Sequence, residues 1–159
     1  MKRLFLILAM ALVGVSLFAA TTASVTITGT VAAFLSITVT PVTTTFDLTQ
    51  TVSNATIASV NEKCNDYLGY TVTVASTNLA GTGSQPFFKD PVSLAQLYYT
   101  LEYNTVPVSF SSGVAKITDS NTVSGANGAT NPMTISFTGN PNLPSGTYQD
   151  TLTFTILQK

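Results

Sequence analysis

Apolar side chains alternate with threonine and serine along most of this sequence, and this period of two constrains the fold more than any other feature. Val72 and Val74 alternate with Thr71 and Thr73, and threonines flank Phe154 in the same way. A period of two places alternate side chains on opposite faces of a β-strand. The sequence therefore predicts half-buried strands whose outer faces are covered by threonine.

Segments of this kind recur about eight to ten times, between clusters of Gly, Pro, Asn and Ser, with no helical period after residue 20. We expect a bulge where Ile57 and Val60 break the alternation, and a hairpin turn at Asn104-Thr105. The series predicts an all-β protein, an antiparallel sandwich in one domain. The predicted strands are 25–31, 35–41, 46–48, 56–64, 70–74, 97–103, 106–110, 114–118, 133–137 and 151–156, and a loop covers 78–91.

The first twenty residues have the order of a secretory signal peptide. Lys2 and Arg3 precede an apolar run from Leu4 to Leu17, which is shorter than the roughly 20 residues that a membrane span needs. We therefore expect residues 1–20 to be removed and residues 21–159 to form the secreted domain, with no membrane span. The cleavage site stays open among three small residues, Ala19, Ala20 and Ala23.

Charge and cysteine content exclude some functions. Charged residues make up 8% of the chain, and without Lys2 and Arg3 four of the six cations face seven carboxylates. Nothing in this balance attracts nucleic acid or anionic lipid. Cys64 is the single cysteine, so no internal disulfide can form.

The sequence predicts no enzyme, no cofactor and no metal site. Histidine is absent, which removes the commonest general base and zinc ligand. The carboxylates form no pair at a recognisable spacing and are expected on the surface. They are Asp47, Glu62, Asp66, Asp90, Glu102, Asp119 and Asp150.

Three weaker features each have a structural and a functional interpretation. Cys64 is either a half-buried side chain at a strand end or a reactive thiol beside Lys63. The stretch from Asp119 to Gly128 offers oxygen ligands for calcium but few carboxylates. Aromatic residues around the 97–103 strand either pack in the core and at an edge or line a sugar platform; they are Tyr98, Tyr99, Tyr103 and Phe110.

The segment from Leu143 to Ile156, LPSGTYQDTLTFTI, resembles the closing strand of the spore coat protein U family and of archaic chaperone-usher pilus subunits. Three further stretches resemble the family's strands in the same order: 25–31, 68–74 and 97–103. The chain departs from the family in its single cysteine, its lack of tryptophan and its ending in Leu157-Gln-Lys159.

The resemblance implies an incomplete immunoglobulin-like sandwich that a strand donated by the next subunit completes. The candidate donor residues are Val25, Ile27, Gly29 and Val31, and the candidate acceptor strand carries Leu152, Phe154 and Ile156. Gly29 would allow close approach of the inserted backbone. Residues 25–31 could equally be the first strand of the chain's own sheet.

Two functional hypotheses follow. The first is a structural subunit of an extracellular fibre, pilus or coat that assembles by strand donation. Its partners are neighbouring copies or sibling subunits, with a periplasmic chaperone and an outer-membrane usher, and it passes through the periplasm to the cell surface. The alternative is a self-complete sandwich that binds cell-wall or surface glycans.

Overall fold

The computed structural model describes residues 21–79 and 83–159, so the predicted signal peptide lies outside the described residues. The chain divides into two units, residues 1–31 and residues 32–159. In the first unit, the described residues 21–31 are exposed and carry no helix or strand. The second unit holds every strand assigned in the described chain. No helix of the described ranges is long and apolar enough to cross a membrane.

Ten strands are assigned in residues 32–79 and 83–159. They are β1 (Leu35–Pro41), β2 (Val52–Cys64), β3 (Tyr70–Ser76), β4 (Phe87–Lys89), β5 (Gln96–Tyr98), β6 (Thr100–Tyr103), β7 (Val106–Pro107), β8 (Val114–Ser120), β9 (Ala129–Phe137) and β10 (Leu152–Gln158).

The strands form two main sheets and a short ribbon. One sheet has the order β1-β2-β9-β6-β7, the other has the order β10-β3-β8, and β4 pairs with β5. Every pairing is antiparallel. Buried side chains from both sheets meet in one apolar core, including Val60, Val74, Leu101, Ala115, Met133 and Ile135. The predicted all-β antiparallel sandwich is confirmed.

The strand order is immunoglobulin-like. In that fold one sheet runs A-B-E-D and the other runs C-F-G. Here β1, β2, β9 and β6 follow the order A-B-E-D, and β3 and β10 take the positions of C and F. In the described part of the chain, no strand occupies the position of G beside β10.

Several predicted strands are confirmed, and the departures have tertiary causes. β2 contains the predicted bulge, with register shifts between Val52 and Ala55 and between Thr56 and Ala58. The strand predicted at 97–103 breaks at Tyr99, because β5 joins the ribbon and β6 joins the five-stranded sheet. The segment 46–48 is not a strand. The Asn104-Thr105 hairpin is confirmed, and both residues have positive φ (48° and 67°), as a type I′ turn requires.

Aromatic rings fill the end of the core where the chain changes sheets. Phe88 lies 4.8 Å from Tyr99 and 5.7 Å from Phe137, measured between ring centroids. Phe46 makes an edge contact with Phe137 at 5.7 Å. Phe88 packs against the core from within the segment 78–91, which was predicted to be a loop but contains β4 at Phe87–Lys89.

Candidate functional site

Two sheet edges lie side by side without pairing. Among the strands of the described residues, β1 is an edge of the five-stranded sheet and pairs with β2 alone, while β10 is an edge of the other sheet and pairs with β3 alone. β1 and β10 are neighbours in space. The candidate site is the groove between them, which we call the β1–β10 groove.

The hydrogen bonds at the two ends of β10 show which of its residues bond to β3. Thr77 N donates to Thr151 O at 3.0 Å, and Lys159 N donates to Gly69 O at 3.2 Å. Antiparallel ladders alternate between bonded and non-bonded residues, and both bonds fall on odd-numbered residues of the C-terminal strand in one continuous register. The backbone N–H and C=O groups of Leu152, Phe154 and Ile156 therefore point away from β3, towards the open edge.

The same reasoning applies to β1. Val42 N donates to Ile57 O at 2.8 Å, in register with the β1–β2 pairing, so the even-numbered residues of β1 bond to β2. The backbone groups of Leu35, Ile37 and Val39 consequently point outwards. Both strands thus present unpaired backbone groups to the groove.

The side chains of these residues make the groove apolar. Ile37, Val39, Leu152, Phe154 and Ile156 are half-buried and pack on the core from its open side. A hollow of about 220 Å³ opens between the two strands and is lined in part by Val39, Ile57, Tyr99, Leu152 and Phe154. Apart from the exposed Leu35, the residues with outward backbone groups are thus the ones whose side chains line the groove.

The opposite sheet edges carry features that discourage pairing. β8 has an ion pair between Lys116 and Asp119, and β7 contains Pro107, which has no N–H to donate. β1 and β10 have the sequences LSITVTP and LTFTILQ, which contain no charged residue, and their one proline, Pro41, is the last residue of β1. Unprotected edges are therefore confined, among these four strands, to the β1–β10 groove.

Asp150 fixes the start of β10. Its Oδ2 accepts hydrogen bonds from the hydroxyls of Tyr99 and Ser76, both at 2.6 Å, and its Oδ1 accepts one from Asn78 N at 3.2 Å. Burial, followed by this bond to Asp150, raises the pKa of Tyr99. The anchor ties β10 to β3 and to the core, so β10 is held in place although no strand of the described residues pairs with its outer edge.

The candidate donor side chains are exposed. Val25, Ile27 and Val31 are 84%, 90% and 89% exposed. A Cβ added to Gly29 would meet nothing within 4 Å. Residues 21–34 are not assigned to any strand, so residues 25–31 do not form the first strand of a sheet in this structure.

The structure brings the predicted acceptor residues together on one face of β10. The sequence analysis did not identify the other wall of the groove, which is formed by Ile37 and Val39 of β1. Their alternation with Ser36 and Thr38 and the absence of charged residues from β1 were visible in the sequence. What the sequence does not show is that β1 and β10 are the strands left at adjacent edges.

The carboxylates are not all on the surface, and the prediction was wrong for Glu62 and Asp90, which are 0% and 3% exposed. Glu62 accepts hydrogen bonds from the hydroxyls of Tyr103 (2.5 Å), Thr118 (2.8 Å) and Tyr70 (3.1 Å). Burial and the charge of Glu62 raise the pKa of Tyr70 to about 12. These hydroxyls come from both sheets, so the cluster joins the two layers.

Asp90 and Asp119 have structural partners. Asp90 accepts bonds from the hydroxyl and backbone N of Ser93, which lower the pKa of Asp90 and close the turn that follows it. Asp119 binds the ammonium groups of Lys116 and Lys159, which lower its pKa to about 2. No cluster of three or more His, Cys, Asp or Glu residues that could hold a metal was found in the residues the structure describes.

Most of the remaining candidate side chains are buried. Cys64 is fully buried at the end of β2 and accepts a weak hydrogen bond from Asp66 N at 3.4 Å. Tyr99, Tyr103 and Phe110 are at most 5% exposed, so they cannot form a sugar platform. Tyr98 is 51% exposed and is the member of that set left at the surface.

Comparison with known proteins shows no family. No protein-family model matches the sequence, and no curated protein matches it. A solved structure of the DraE adhesin in complex with chloramphenicol succinate is similar to the chain, with a TM-score of 0.49 and 17% sequence identity. The match covers 82% of this chain and 98% of that one. The resemblance to the spore coat protein U family and to archaic pilus subunits is not confirmed and stays a prediction.

Proposed function

We propose that this protein is an exported structural subunit of an extracellular fibre, pilus or coat, in which residues 25–31 of one copy fill the β1–β10 groove of the next. The observation that carries the proposal is the coincidence, at the same residues of β1 and β10, of outward backbone groups and half-buried apolar side chains. A strand inserted there would complete both the ladder and the core.

The donor segment fits this groove in length and pattern. Residues 25–31 and β10 are both seven residues long, which is about 20 Å of extended chain. Alternation would direct Val25, Ile27 and Val31 into the groove and leave the intervening threonines outside. Gly29 would let the inserted backbone approach closely at one point.

Burial of the exposed donor side chains would drive association with the groove. Fully burying a Val or Ile side chain is worth about 1.5 to 3 kcal/mol, and Val25, Ile27 and Val31 are almost wholly exposed. The groove has apolar walls of its own to cover. Association of donor and groove would remove both surfaces from water in one step.

The proposed partners follow from this open groove. An uncovered groove is a risk before assembly, because exposed strand edges pair with any available chain. The family resemblance implies that a periplasmic chaperone covers it in transit and that an outer-membrane usher orders the subunits. The final location is then the cell surface, with neighbouring copies or sibling subunits as the permanent partners.

A pair of substitutions on opposite faces of the donor tests the proposal. Ile27→Asp should weaken association of the mature chain by at least about 30-fold, because it removes roughly 2 kcal/mol of burial and introduces a charge. Thr28→Asp, on the outward face, should assemble as the unmodified chain does. Sedimentation velocity over a range of concentrations gives both values.

Deletion of residues 21–32 is a second test of the proposed strand donation. The shortened chain should not form multimers, yet it should bind a peptide of residues 22–32 through its open groove. A mature chain that stays monodisperse and monomeric at all concentrations, and unfolds cooperatively, would contradict strand donation.

Glycan binding is the second candidate, and one observation favours it. A shallow cleft of about 630 Å³ is lined by amide and hydroxyl side chains beside the exposed ring of Tyr98, including Gln85, Gln96 and Asn140. Uncharged polar groups next to an aromatic face suit a sugar. Retention of the mature chain on isolated wall polysaccharide, lost in Tyr98→Ala, would support this function, and no retention would count against it.

A further inference from the structure

The chain leading into β1 is held by one side chain, that of Asn65. Phe34 N donates to Asn65 Oδ1 at 2.8 Å, and Asn65 Nδ2 donates to Ala32 O at 2.8 Å. Asn65 N also donates to Phe34 O at 3.3 Å. A single asparagine therefore binds residues 32–34 on both sides of Ala33.

These bonds extend the line of β1 beyond its first residue. Phe34 and Asn65 continue the β1–β2 register by one pair, because Leu35 lies opposite Cys64. The side-chain amide of Asn65 then carries the contact one step further, to Ala32. Residues 32–34 thus continue β1 and do not turn back on it.

Self-insertion would require the opposite geometry. For residues 25–31 to enter the groove beside their own β1, the chain must reverse within residues 32–34. That reversal would remove Ala32 O and Phe34 N from Asn65. The sequence Ala-Ala-Phe also lacks the glycine or asparagine that tight hairpin turns favour at positions of positive φ.

We infer that Asn65 is a positioning residue that keeps residues 25–31 from folding back into the chain's own groove and so leaves them for a neighbouring copy. The inference rests on the proposed function and adds to it the choice between donation within a chain and donation between chains. Strand donation by itself does not decide between the two. Residues 25–31 are joined to β1 of the same chain, so their effective concentration at their own groove is very high.

The test compares three substitutions in the mature chain. Asn65→Ala removes both side-chain bonds, and Asn65→Asp keeps the acceptor for Phe34 N but cannot donate to Ala32 O. Asn61→Ala, four residues earlier on β2, is the matched control, because the Asn61 side chain bonds to Thr130 and Asn127 instead. The ratio of monomer to multimer is measured by size-exclusion chromatography with light scattering, and the groove is probed with a labelled peptide of residues 22–32.

Asn65→Ala should raise the ratio of monomer to multimer by about fivefold to tenfold, with Asn65→Asp between it and the unmodified chain. The added monomer should not bind the peptide, because its own donor fills the groove. A variant that only weakened association would give folded monomers that still bind the peptide, and this result would overturn the inference. If Asn65→Ala does not fold, Asn65→Asp decides alone.

The outcomes separate the two proposals. If the unmodified chain multimerises and Asn65→Ala behaves like Asn61→Ala, the positioning role is wrong and strand donation stands. If the unmodified chain neither multimerises nor binds the peptide, both proposals fail together.

Discussion

Removing one hydroxyl from the buried Glu62 cluster should cost a large part of the protein's stability. Tyr103→Phe keeps the ring and deletes the 2.5 Å bond to Glu62 Oε1, at a site where Glu62 is 0% exposed and no solvent can replace the donor. Hydrogen bonds to charged groups contribute about 1.5 to 3 kcal/mol, and Thr118 still donates to the same oxygen. We expect a loss of about 2 kcal/mol in the free energy of unfolding.

The assay is urea unfolding, carried out in an Ile27→Asp background so that the proposed association between copies does not add to the measured stability. Tyr98→Phe is the matched control, because Tyr98 is 51% exposed and its hydroxyl bonds to Gln96 at 3.2 Å. The control should change the free energy of unfolding by less than about 0.5 kcal/mol. Equal losses from Tyr103→Phe and Tyr98→Phe would refute the claim that hydroxyls stabilise the buried carboxyl group of Glu62.

Two further predictions concern pH and backbone conformation. The pKa of Tyr70 is raised from 10.0 to about 12, and those of Tyr99 and Tyr103 are also raised, so between these values the unfolded tyrosines lose protons that the folded ones keep. The free energy of unfolding should therefore be fully retained below about pH 10 and fall as the pH rises towards 12, and urea midpoints that stay constant over this window would contradict the assignment. Gly69→Ala should destabilise by about 3 kcal/mol or more, because φ is +87° and the new Cβ would lie 2.0 Å from a backbone oxygen. Gly125→Ala, with φ of +71° and open space around it, should cost about 1 kcal/mol, and equal thermal shifts for the two variants would show that the clash is not real.

Much of the fold could be predicted from local pattern, because most strands have one buried face. β1, β3 and β10 were predicted within two residues of their observed ends, since their alternation is regular. The pattern failed where tertiary contacts decide the outcome. The break at Tyr99 occurs because the chain changes sheets there, and nothing in the alternation of 97–103 marks that change.

The buried carboxylate was missed for a related reason. On β2 the inward face runs Val60, Glu62, Cys64, and a glutamate in an alternating strand is expected to face solvent. Its hydroxyl partners come from β3, β6 and β8, far away in sequence. Local periodicity carries no information about such partners.

The candidate site was predicted in part. The apolar face of β10 could be predicted because alternation assigns Leu152, Phe154 and Ile156 to one side, and their acceptor role stays a prediction. That this strand ends at a sheet edge beside β1 depends on the order of strands, which the sequence alone does not specify. The Asn65 contacts with residues 32–34 depend in the same way on the β1–β2 register.

Amide hydrogen exchange at β10, measured residue by residue with and without the peptide of residues 22–32, tests the central claim most directly. The N–H groups of Phe154 and Ile156 point to the open edge, whereas those of Thr153 and Thr155 already bond to β3. Peptide binding should slow exchange at Phe154 and Ile156 by at least about 100-fold while Thr153 and Thr155 change much less, as expected when free amides join a ladder. Unchanged exchange at Phe154 and Ile156 in a peptide-bound chain would show that the donor does not pair with β10.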